Sequence, residues 1–242
     1  MKPLAPINGI SALTKLFSAR KPQKIISTLL KAVLFDFDGT LAELNVDFVR
    51  MRRSVLDLMA DYCTPLDAME DLYVLEMIEA GRNLISERCP GREGEFFARA
   101  YELISAIETE GAREGTLFTG TEEMLRELRK RHLKTGVVTR NCRAAVMQLF
   151  PDIDSCCDAV ITRENAARVK PHPDHLLTAL DSLDTDPTFA AMVGDHPMDI
   201  TVGRDVGAYT VGVLTGWSEA VPLHEAGADL IIEKASDITR YL

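Results

Sequence analysis

The chain has 242 residues, of which 46% are hydrophobic and 26% charged, and its formal net charge is −10 at pH 7. This size and composition are typical of a soluble globular protein with one large or two modest domains. The acidic balance argues against general nucleic-acid binding, and no apolar run reaches the roughly 18–20 residues that cross a bilayer. Five cysteines without the spacing of a disulfide framework favour reduced thiols and a cytoplasmic location.

Residues 1–30 are predicted to form a basic N-terminal extension. Residues 1–31 contain six basic side chains and no acid. An organelle-targeting segment can have this character. However, Pro3, Pro6 and Pro22 and the presence of a single arginine weaken that interpretation. We favour an extension that lies on the acidic body or extends into solvent.

The stretch Ala32–Thr40, with the sequence AVLFDFDGT, begins as an apolar run and then turns polar. Its start predicts a buried parallel strand. Asp36 and Asp38 would then lie at the carboxyl end of the strand, where open α/β sheets bind ligands. The two side chains point to opposite sides of a strand, so Asp38 would have to reach in from the turn that Gly39 allows. Taken alone, the stretch fits equally well an ordinary strand followed by an Asp-Gly turn.

Residues 45–114 are predicted to be helical. Apolar side chains recur at helical spacing in segments that begin near Val46, Met69 and Phe96. This spacing indicates three or four amphipathic helices with no strand between them. Helix breaks are expected at Thr64–Pro65, Gly81 and Cys89–Gly91. A helical block placed after the first strand favours a separate small domain.

Strands and helices are predicted to alternate from Thr116 onward. The predicted strands cover residues 135–139, 158–161, 189–194, 209–213 and 229–232, and a helix covers 142–150. Among the other helices, Thr121 is expected to cap one, Pro173 to open one and Gly207 to end one. The alternation predicts an α/β fold with a Rossmann-like parallel sheet that is covered by helices on both faces.

Several predicted strands end in polar side chains that would meet at one edge of the sheet, namely Asp36, Asp38, Thr139 and Asp195. Asp199 lies one helical turn beyond Asp195 and can return to the same place. Oxygen ligands without thiolates or a histidine cluster suit Mg²⁺. A threonine hydroxyl, Lys170 and strand-end amides suit a phosphate group. A carboxylate nucleophile beside a magnesium ion and a phosphate clamp describes phosphoryl transfer through an aspartyl-phosphate.

Four ordered motifs resemble those of the haloacid dehalogenase (HAD) superfamily. They are Asp36–Thr40, Thr139, Lys170 and Gly194–Asp199. Each motif alone is common, but all four in order with this spacing are specific. The resemblance covers residues 32–242 and extends to the phosphoglycolate phosphatase-like branch, which carries a helical cap. It implies a hydrolase core made of residues 31–44 and 115–242, with the cap inserted at 45–114.

The resemblance also implies a role for each motif residue. Asp36 would attack phosphorus, while Asp38 would protonate the leaving group and then activate water. The side chains of Asp36 and Asp195 would hold Mg²⁺ together with the backbone carbonyl of Asp38. Asp199 would orient Lys170 or a metal-bound water. Thr139 and Lys170 would bind the phosphoryl group. Arg140 is a further candidate for phosphate binding, which the resemblance does not supply.

Arg140 departs from the pattern of this branch, which commonly has asparagine after the threonine; here asparagine follows as Asn141. The guanidinium of Arg140 is expected either to contact phosphate or substrate or to point into solvent. Most arginines of the helical block are expected to be solvated helix-face charges rather than readers of an anionic substrate, and those considered are Arg82, Arg88, Arg92 and Arg99. Trp217 is expected to pack within its own loop.

The predicted function is a Mg²⁺-dependent phosphatase of a small phosphorylated metabolite, with phosphoglycolate as a candidate at the level of the family. A sugar phosphomutase of the same superfamily and a non-catalytic regulatory protein are the alternatives. A mutase needs a base on the cap, which no residue indicates, and a regulatory protein usually loses one of the motif groups, all of which are present. The expected partner is the small substrate, without nucleic acid or a membrane span; the sequence leaves the oligomeric state open.

Overall fold

The computed structural model describes residues 30–62, 69 and 71–242. Residues 1–29 of the basic extension and the helix break expected at Thr64–Pro65 lie outside these residues. Among the helices of the described ranges, none is both long enough and apolar enough to cross a membrane.

The protein is built around a parallel β-sheet. In chain order the strands are β1 (Ala32–Phe35), β2 (Ala42–Glu43), β3 (Thr116–Leu117), β4 (Lys134–Val138), β5 (Ala159–Ile161), β6 (Ala190–Gly194), β7 (Tyr209–Val213) and β8 (Leu230–Ile232). Six of them form one sheet in the order β5-β4-β1-β6-β7-β8, while β2 and β3 form a separate antiparallel pair. Every described pairing in the large sheet is parallel, which confirms the predicted α/β class.

Helices cover both faces of this sheet. In chain order, the α-helices of the described residues are α1 (Phe48–Ala60), α2 (Val74–Arg88), α3 (Glu93–Glu114), α4 (Thr121–Lys130), α5 (Arg143–Leu149), α6 (Ile153–Cys156), α7 (Pro173–Ser182), α8 (Pro197–Val206) and α9 (Ala220–Glu225), and those that pack on the sheet come after α3. Because successive strand residues point to opposite faces, Phe35 packs in a cluster with side chains of α4 and α5. Leu34 packs in a different cluster, with side chains of α7 and α8.

The register of β1 places the functional residues at one edge. Phe35 lies beside Val137 on β4 and beside Val193 on β6. The backbone N–H of Asp36 donates to the carbonyl of Val193 at 2.9 Å. The residues that follow these three strands therefore leave the sheet at the same level, which is the carboxyl edge where parallel sheets bind ligands.

The helices α1, α2 and α3, which we call the helical insert, lie in the chain between β2 and β3. They share an apolar cluster that is distinct from the two clusters on the sheet and includes Met59, Ile78 and Phe96. The break predicted at Gly81 is wrong, because Gly81 is buried inside α2. A Cβ atom there would lie 2.9 Å from Met59 Cε, so the missing side chain serves close helix packing. The break predicted at Cys89–Gly91 is confirmed between α2 and α3.

The helix boundaries of the α/β region follow their predicted signals with one exception. Pro173 is the first residue of α7, and Gly207 follows α8 with a left-handed φ of 84°. Thr121 does not cap α4, because Gly120 occupies the N-cap position. The Thr121 hydroxyl instead donates to the carbonyl of Leu41 at 2.9 Å. The hydroxyl therefore makes a long-range hydrogen bond instead of the helix cap that the local sequence predicted.

A buried ion pair joins the helical insert to the α/β region. Arg163 Nη1 lies 2.6 Å and 2.7 Å from the two carboxylate oxygens of Glu108 on α3. Their side chains are 0% and 6% exposed. Glu108 also accepts the backbone N–H of Cys142 at 2.9 Å, which is the residue that caps α5. The pair therefore connects α3 to the loop that follows β4.

Candidate active site

Lys170 links two carboxylates at the carboxyl edge of the sheet. Its Nζ lies 2.8 Å from Asp36 Oδ1 and 2.6 Å from Asp199 Oδ1. The side chain of Lys170 is only 3% exposed. Burial on its own would lower the pKa of this ammonium, but the charges of Asp199 and Asp36 outweigh burial and raise the pKa above its usual range. Lys170 is thus held as a cation between the two acids.

Asp195 is fixed by donors from two loops. Its Oδ1 accepts the Thr40 hydroxyl at 3.1 Å, and its Oδ2 accepts the backbone N–H of Trp217 at 2.9 Å. Two glycines make room for this carboxylate: a Cβ atom would lie 2.5 Å from Asp195 Oδ2 if built on Gly39 and 2.0 Å if built on Gly216. The indole of Trp217 does not pack within its loop as expected, since the residue is 80% exposed.

Asp36, Asp195 and Asp199 form the acidic cluster of the site. Each offers a carboxylate oxygen within 4.8 Å of the oxygens of the other two. Burial raises the pKa of all three, and the charge of Lys170 opposes the shift at Asp36 and Asp199. Hard oxygen donors crowded together, with fewer positive charges than negative ones, fit a divalent cation such as Mg²⁺.

Asp38 has different surroundings from the acids of the cluster. Its Oδ1 accepts the backbone N–H of Leu44 at 2.9 Å. Burial raises the pKa of Asp38 to about 7, against the effect of this hydrogen bond. Gly39 follows with a left-handed φ of 83°, so the chain turns here as the sequence suggested. A carboxyl with such a pKa exchanges protons near neutrality, as an acid/base group must.

Thr139 follows β4 at the same edge and is fully buried. Its hydroxyl donates to Asn141 Oδ1 at 2.8 Å and accepts the backbone N–H of Asn141 at 3.2 Å. The family pattern commonly has asparagine directly after this threonine, whereas Asn141 is the second residue after it. Asn141 nevertheless orients the threonine hydroxyl.

Arg140 contacts the helical insert rather than solvent. Its Nη2 lies 2.6 Å from Glu76 Oε2 on α2, and its Nη1 lies 3.2 Å from Met198 Sδ. The guanidinium also lies over the ring of Tyr73, 5.4 Å from its centre. Tyr73 in turn reaches His196, with 3.3 Å between the phenol oxygen and Nε2. Two residues from the insert thus meet residues that directly follow Thr139 and Asp195.

A family profile of haloacid dehalogenase-like hydrolases matches residues 33–213. The chain belongs to this family. A pyrophosphatase PpaX of Bacillus velezensis is 30% identical over 212 residues, which cover 86% of this chain and 94% of the relative. An N-acetylmuramic acid 6-phosphate phosphatase of Pseudomonas putida is 29% identical over 223 residues, covering 88% and 96%. A crystal structure of a hydrolase from Pseudomonas syringae matches with a TM-score of 0.65 at 21% identity, covering 88% and 97%.

Two histidines of this HAD-like hydrolase support the site through the backbone. His175 Nδ1 accepts the backbone N–H of Lys170 at 3.1 Å, and burial, assisted by the charge of Lys170, lowers the pKa of His175 to about 3. His196 Nδ1 accepts the backbone N–H of Met198 at 3.1 Å at the start of α8. In its neutral form His196 therefore carries its proton on Nε2, facing Tyr73.

Sequence reasoning missed the residues that the helical insert of this HAD-like hydrolase brings to the site. Glu76 and Tyr73 lie at the start of α2, where an acid in the first turn is an ordinary helix feature. Glu108 is an acid within the predicted apolar face of α3, and it pairs with Arg163 from another part of the chain. A buried acid on an apolar face was the only available signal, and it did not identify the partner.

Proposed function

We propose that this HAD-like hydrolase is a phosphatase that acts on a small phosphorylated metabolite through an aspartyl-phosphate. The observation that carries the proposal is the placement of Lys170 between Asp36 and Asp199, with Asp195 in the same cluster. An ammonium in contact with a strand-end carboxylate can neutralise both a carboxylate nucleophile and the phosphoryl oxygens that approach it. The two curated relatives support the proposal, since both are named for the hydrolysis of phosphate compounds.

The residues divide the reaction into two steps. In the first, a carboxylate oxygen of Asp36 bonds to phosphorus, the bond from phosphorus to the leaving oxygen breaks, and Asp38 gives its proton to that oxygen. In the second, Asp38 takes a proton from water, the water oxygen bonds to phosphorus, and the bond from phosphorus to the Asp36 oxygen breaks, which frees the carboxylate and inorganic phosphate. The pKa of about 7 at Asp38 suits both directions of proton transfer.

The acidic cluster is proposed to bind Mg²⁺. We propose that Asp36 and Asp195 hold the ion through their side chains and Asp38 holds it through its backbone carbonyl, while Asp199 orients Lys170. When bound, Mg²⁺ would offset negative charge on the carboxylates and on the phosphoryl oxygens. Thr139 is proposed to hydrogen-bond the phosphoryl group, which requires the hydroxyl hydrogen that it donates to Asn141 Oδ1 in this structure to turn toward a phosphoryl oxygen.

The helical insert is proposed to be a cap domain over residues 45–114 on a core of 31–44 and 115–242. Contacts from Tyr73 and Glu76 to His196 and Arg140 support this division, because they bring the insert to the catalytic edge. A cap in this position would exclude bulk water and contact the leaving group. The described cysteines, Cys89, Cys142, Cys156 and Cys157, are all free thiols, which supports a reducing compartment and the proposed cytoplasmic location.

The nucleophile can be tested with Asp36→Asn and the matched control Asp205→Asn, which changes an exposed acid on α8. We expect Asp36→Asn to lower hydrolysis of p-nitrophenyl phosphate by about a thousandfold or more, because an amide cannot form the phosphoenzyme. Asp205→Asn should retain the wild-type rate. Phosphate release from sugar phosphates also separates a phosphatase from a mutase, which would return the phosphoryl group to the sugar. Retained turnover by Asp36→Asn would contradict the assignment.

A further inference from the structure

Four side chains form a cluster between the helical insert and the catalytic edge, and we call them the roof cluster: Tyr73, Glu76, Arg140 and His196. Tyr73 and Glu76 come from the start of α2, while Arg140 and His196 directly follow Thr139 and Asp195. The side chains of Arg140 and Glu76 are 19% and 33% exposed. The roof cluster therefore lies where the insert meets the residues that follow the motif strands.

The charge of Arg140 is balanced within this cluster. Glu76 Oε2 lies 2.6 Å from its Nη2, and Tyr73 covers the guanidinium with its ring. A charge-assisted hydrogen bond of this length between partly buried groups is stronger than an exposed pair. An anionic group on a substrate would have to displace Glu76 and would also meet its negative charge.

Several other cations of the insert and of the site are paired as well. Arg82 lies near Glu79 and over the ring of Phe97. Arg92 and Arg99 both contact Glu95, on the same helix. At the catalytic edge, Lys170 is engaged by Asp36 and Asp199. Of these cations, Lys170 is the one that contacts the proposed nucleophile Asp36, so it would meet the transferred phosphoryl group rather than the leaving group.

We propose that Glu76 is a specificity-determining residue that makes the enzyme prefer phosphate esters with a neutral, hydroxyl-bearing leaving group over those with a carboxylate or phosphate leaving group. This proposal rests on the phosphatase function proposed above. A substrate hydroxyl can donate to the Glu76 carboxylate and can exchange hydrogen bonds with the Tyr73 phenol, whereas a carboxylate is repelled by Glu76. Polyol and sugar phosphates fit this requirement, and phosphoglycolate does not.

A pair of esters matched in size tests the proposal directly. 2-Hydroxyethyl phosphate and 2-phosphoglycolate differ in the leaving group, which carries a hydroxymethyl group in the first and a carboxylate in the second. The wild type should have the higher kcat/KM for 2-hydroxyethyl phosphate. Glu76→Gln keeps a hydrogen-bond acceptor for Arg140 but removes the negative charge. The variant should therefore shift the ratio of the two kcat/KM values toward phosphoglycolate by about tenfold or more. The change should arise mainly from a lower KM for phosphoglycolate.

Two further variants isolate the cause of this shift. Glu79→Gln removes the same charge from an exposed position on the same helix and should leave the ratio at its wild-type value. Glu76→Gln combined with Arg140→Gln should lose the shift, because the gain requires an uncompensated guanidinium. Thermal unfolding of each variant would show that the changes do not arise from loss of the fold.

The outcomes separate this proposal from the proposed function. A wild type that hydrolyses p-nitrophenyl phosphate but prefers phosphoglycolate to 2-hydroxyethyl phosphate would overturn the role of Glu76 and leave the phosphatase intact. An unchanged ratio in folded Glu76→Gln would do the same. A wild type that releases phosphate from none of the three esters would refute the phosphatase function itself, and the proposal for Glu76 with it.

Discussion

The surroundings of Asp38 shift its pKa well above the ordinary value of a carboxyl. Burial raises its pKa to about 7, so the proposed general acid is largely protonated below that pH and loses its proton above it. We expect kcat/KM for an alkyl phosphate to fall about tenfold per pH unit above the pKa, because an alkoxide leaves poorly without a proton. Since a bound cation lowers the pKa of a nearby carboxyl, the fall should begin at or below pH 7 in Mg²⁺.

p-Nitrophenyl phosphate provides the comparison for this pH dependence. Nitrophenolate leaves without help from an acid, so its kcat/KM should not share the decline. Both profiles should be measured on the same enzyme over the same pH range, and Asp38→Asn should impair the alkyl ester more than the aryl ester. Parallel profiles for the two esters would contradict the role of Asp38.

Gly39 has a left-handed backbone and also lies close to Asp195. Gly91 has the same backbone conformation without a close neighbour, so it serves as the control for backbone strain alone. Both have a positive φ, 83° and 88°, but a Cβ atom on Gly91 would meet nothing within 4 Å, whereas one on Gly39 would meet Asp195 Oδ2 at 2.5 Å. Each change to alanine should cost about 1 kcal/mol of unfolding free energy from backbone strain. Only Gly39→Ala should also displace the carboxylate, costing further stability and lowering activity by about a hundredfold. Urea unfolding and phosphatase assays on both variants would test this, and equal activities would refute it.

At the scale of single residues, the sequence predicts the groups that end apolar strands. Asp36 and Asp195 follow β1 and β6, and parallel pairing brings them to one edge. Glu76 could not be predicted in the same way, because its partner Arg140 lies 64 residues away and no periodicity encodes that contact. Local patterns thus located the motif acids and left the roof cluster unseen.

The helix α3 is held to the α/β region by the buried pair of Glu108 and Arg163. Replacing Glu108 with glutamine should leave the charge of Arg163 buried without compensation, since its side chain is 0% exposed. We expect a loss of about 3–5 kcal/mol of unfolding free energy, measured by urea denaturation. The control is Glu122→Gln, which breaks an exposed pair with Arg126 within α4 and should cost less than about 1 kcal/mol. Similar losses in the two variants would show that the buried pair does not secure α3.

At the scale of elements, apolar periodicity predicted most of the strands and helices, because burial on one or two faces fixes their spacing. Its errors involve tertiary contacts. Gly81 looked like a helix break, yet it serves packing against Met59 within the helical insert. Thr121 looked like a cap, yet its hydroxyl bonds to Leu41, 80 residues away. The short pair of β2 and β3 carries too few residues to show any period.

For the whole molecule, the acidic cluster opposes folding at neutral pH when no cation is bound. A carboxyl whose pKa is higher in the folded than in the unfolded state keeps a proton that the unfolded chain has already released. The stability contributed by these groups is therefore fully present below their ordinary pKa of about 4 and is lost as pH rises through the folded value, which is about 7 for Asp38. Asp36, Asp195 and Asp199 shift in the same direction and add to the loss.

Magnesium binding should reverse this loss, because the ion replaces the protons as the partner of the carboxylates. We expect Mg²⁺ to raise Tm relative to EDTA, and the rise should be larger at pH 8 than at pH 5. At a hundredfold excess of Mg²⁺ over Kd, the gain in unfolding free energy should be about 2–3 kcal/mol. EDTA should also abolish activity, and added Mg²⁺ should restore it.

Trp217 is the single tryptophan of the chain and its backbone N–H binds Asp195, so its fluorescence offers an independent record of the titration. Asp195→Asn should raise the stability of the metal-free protein at pH 8 and remove the effect of Mg²⁺. A Tm shift that is equal at the two pH values would contradict this linkage between the acidic cluster and the ion.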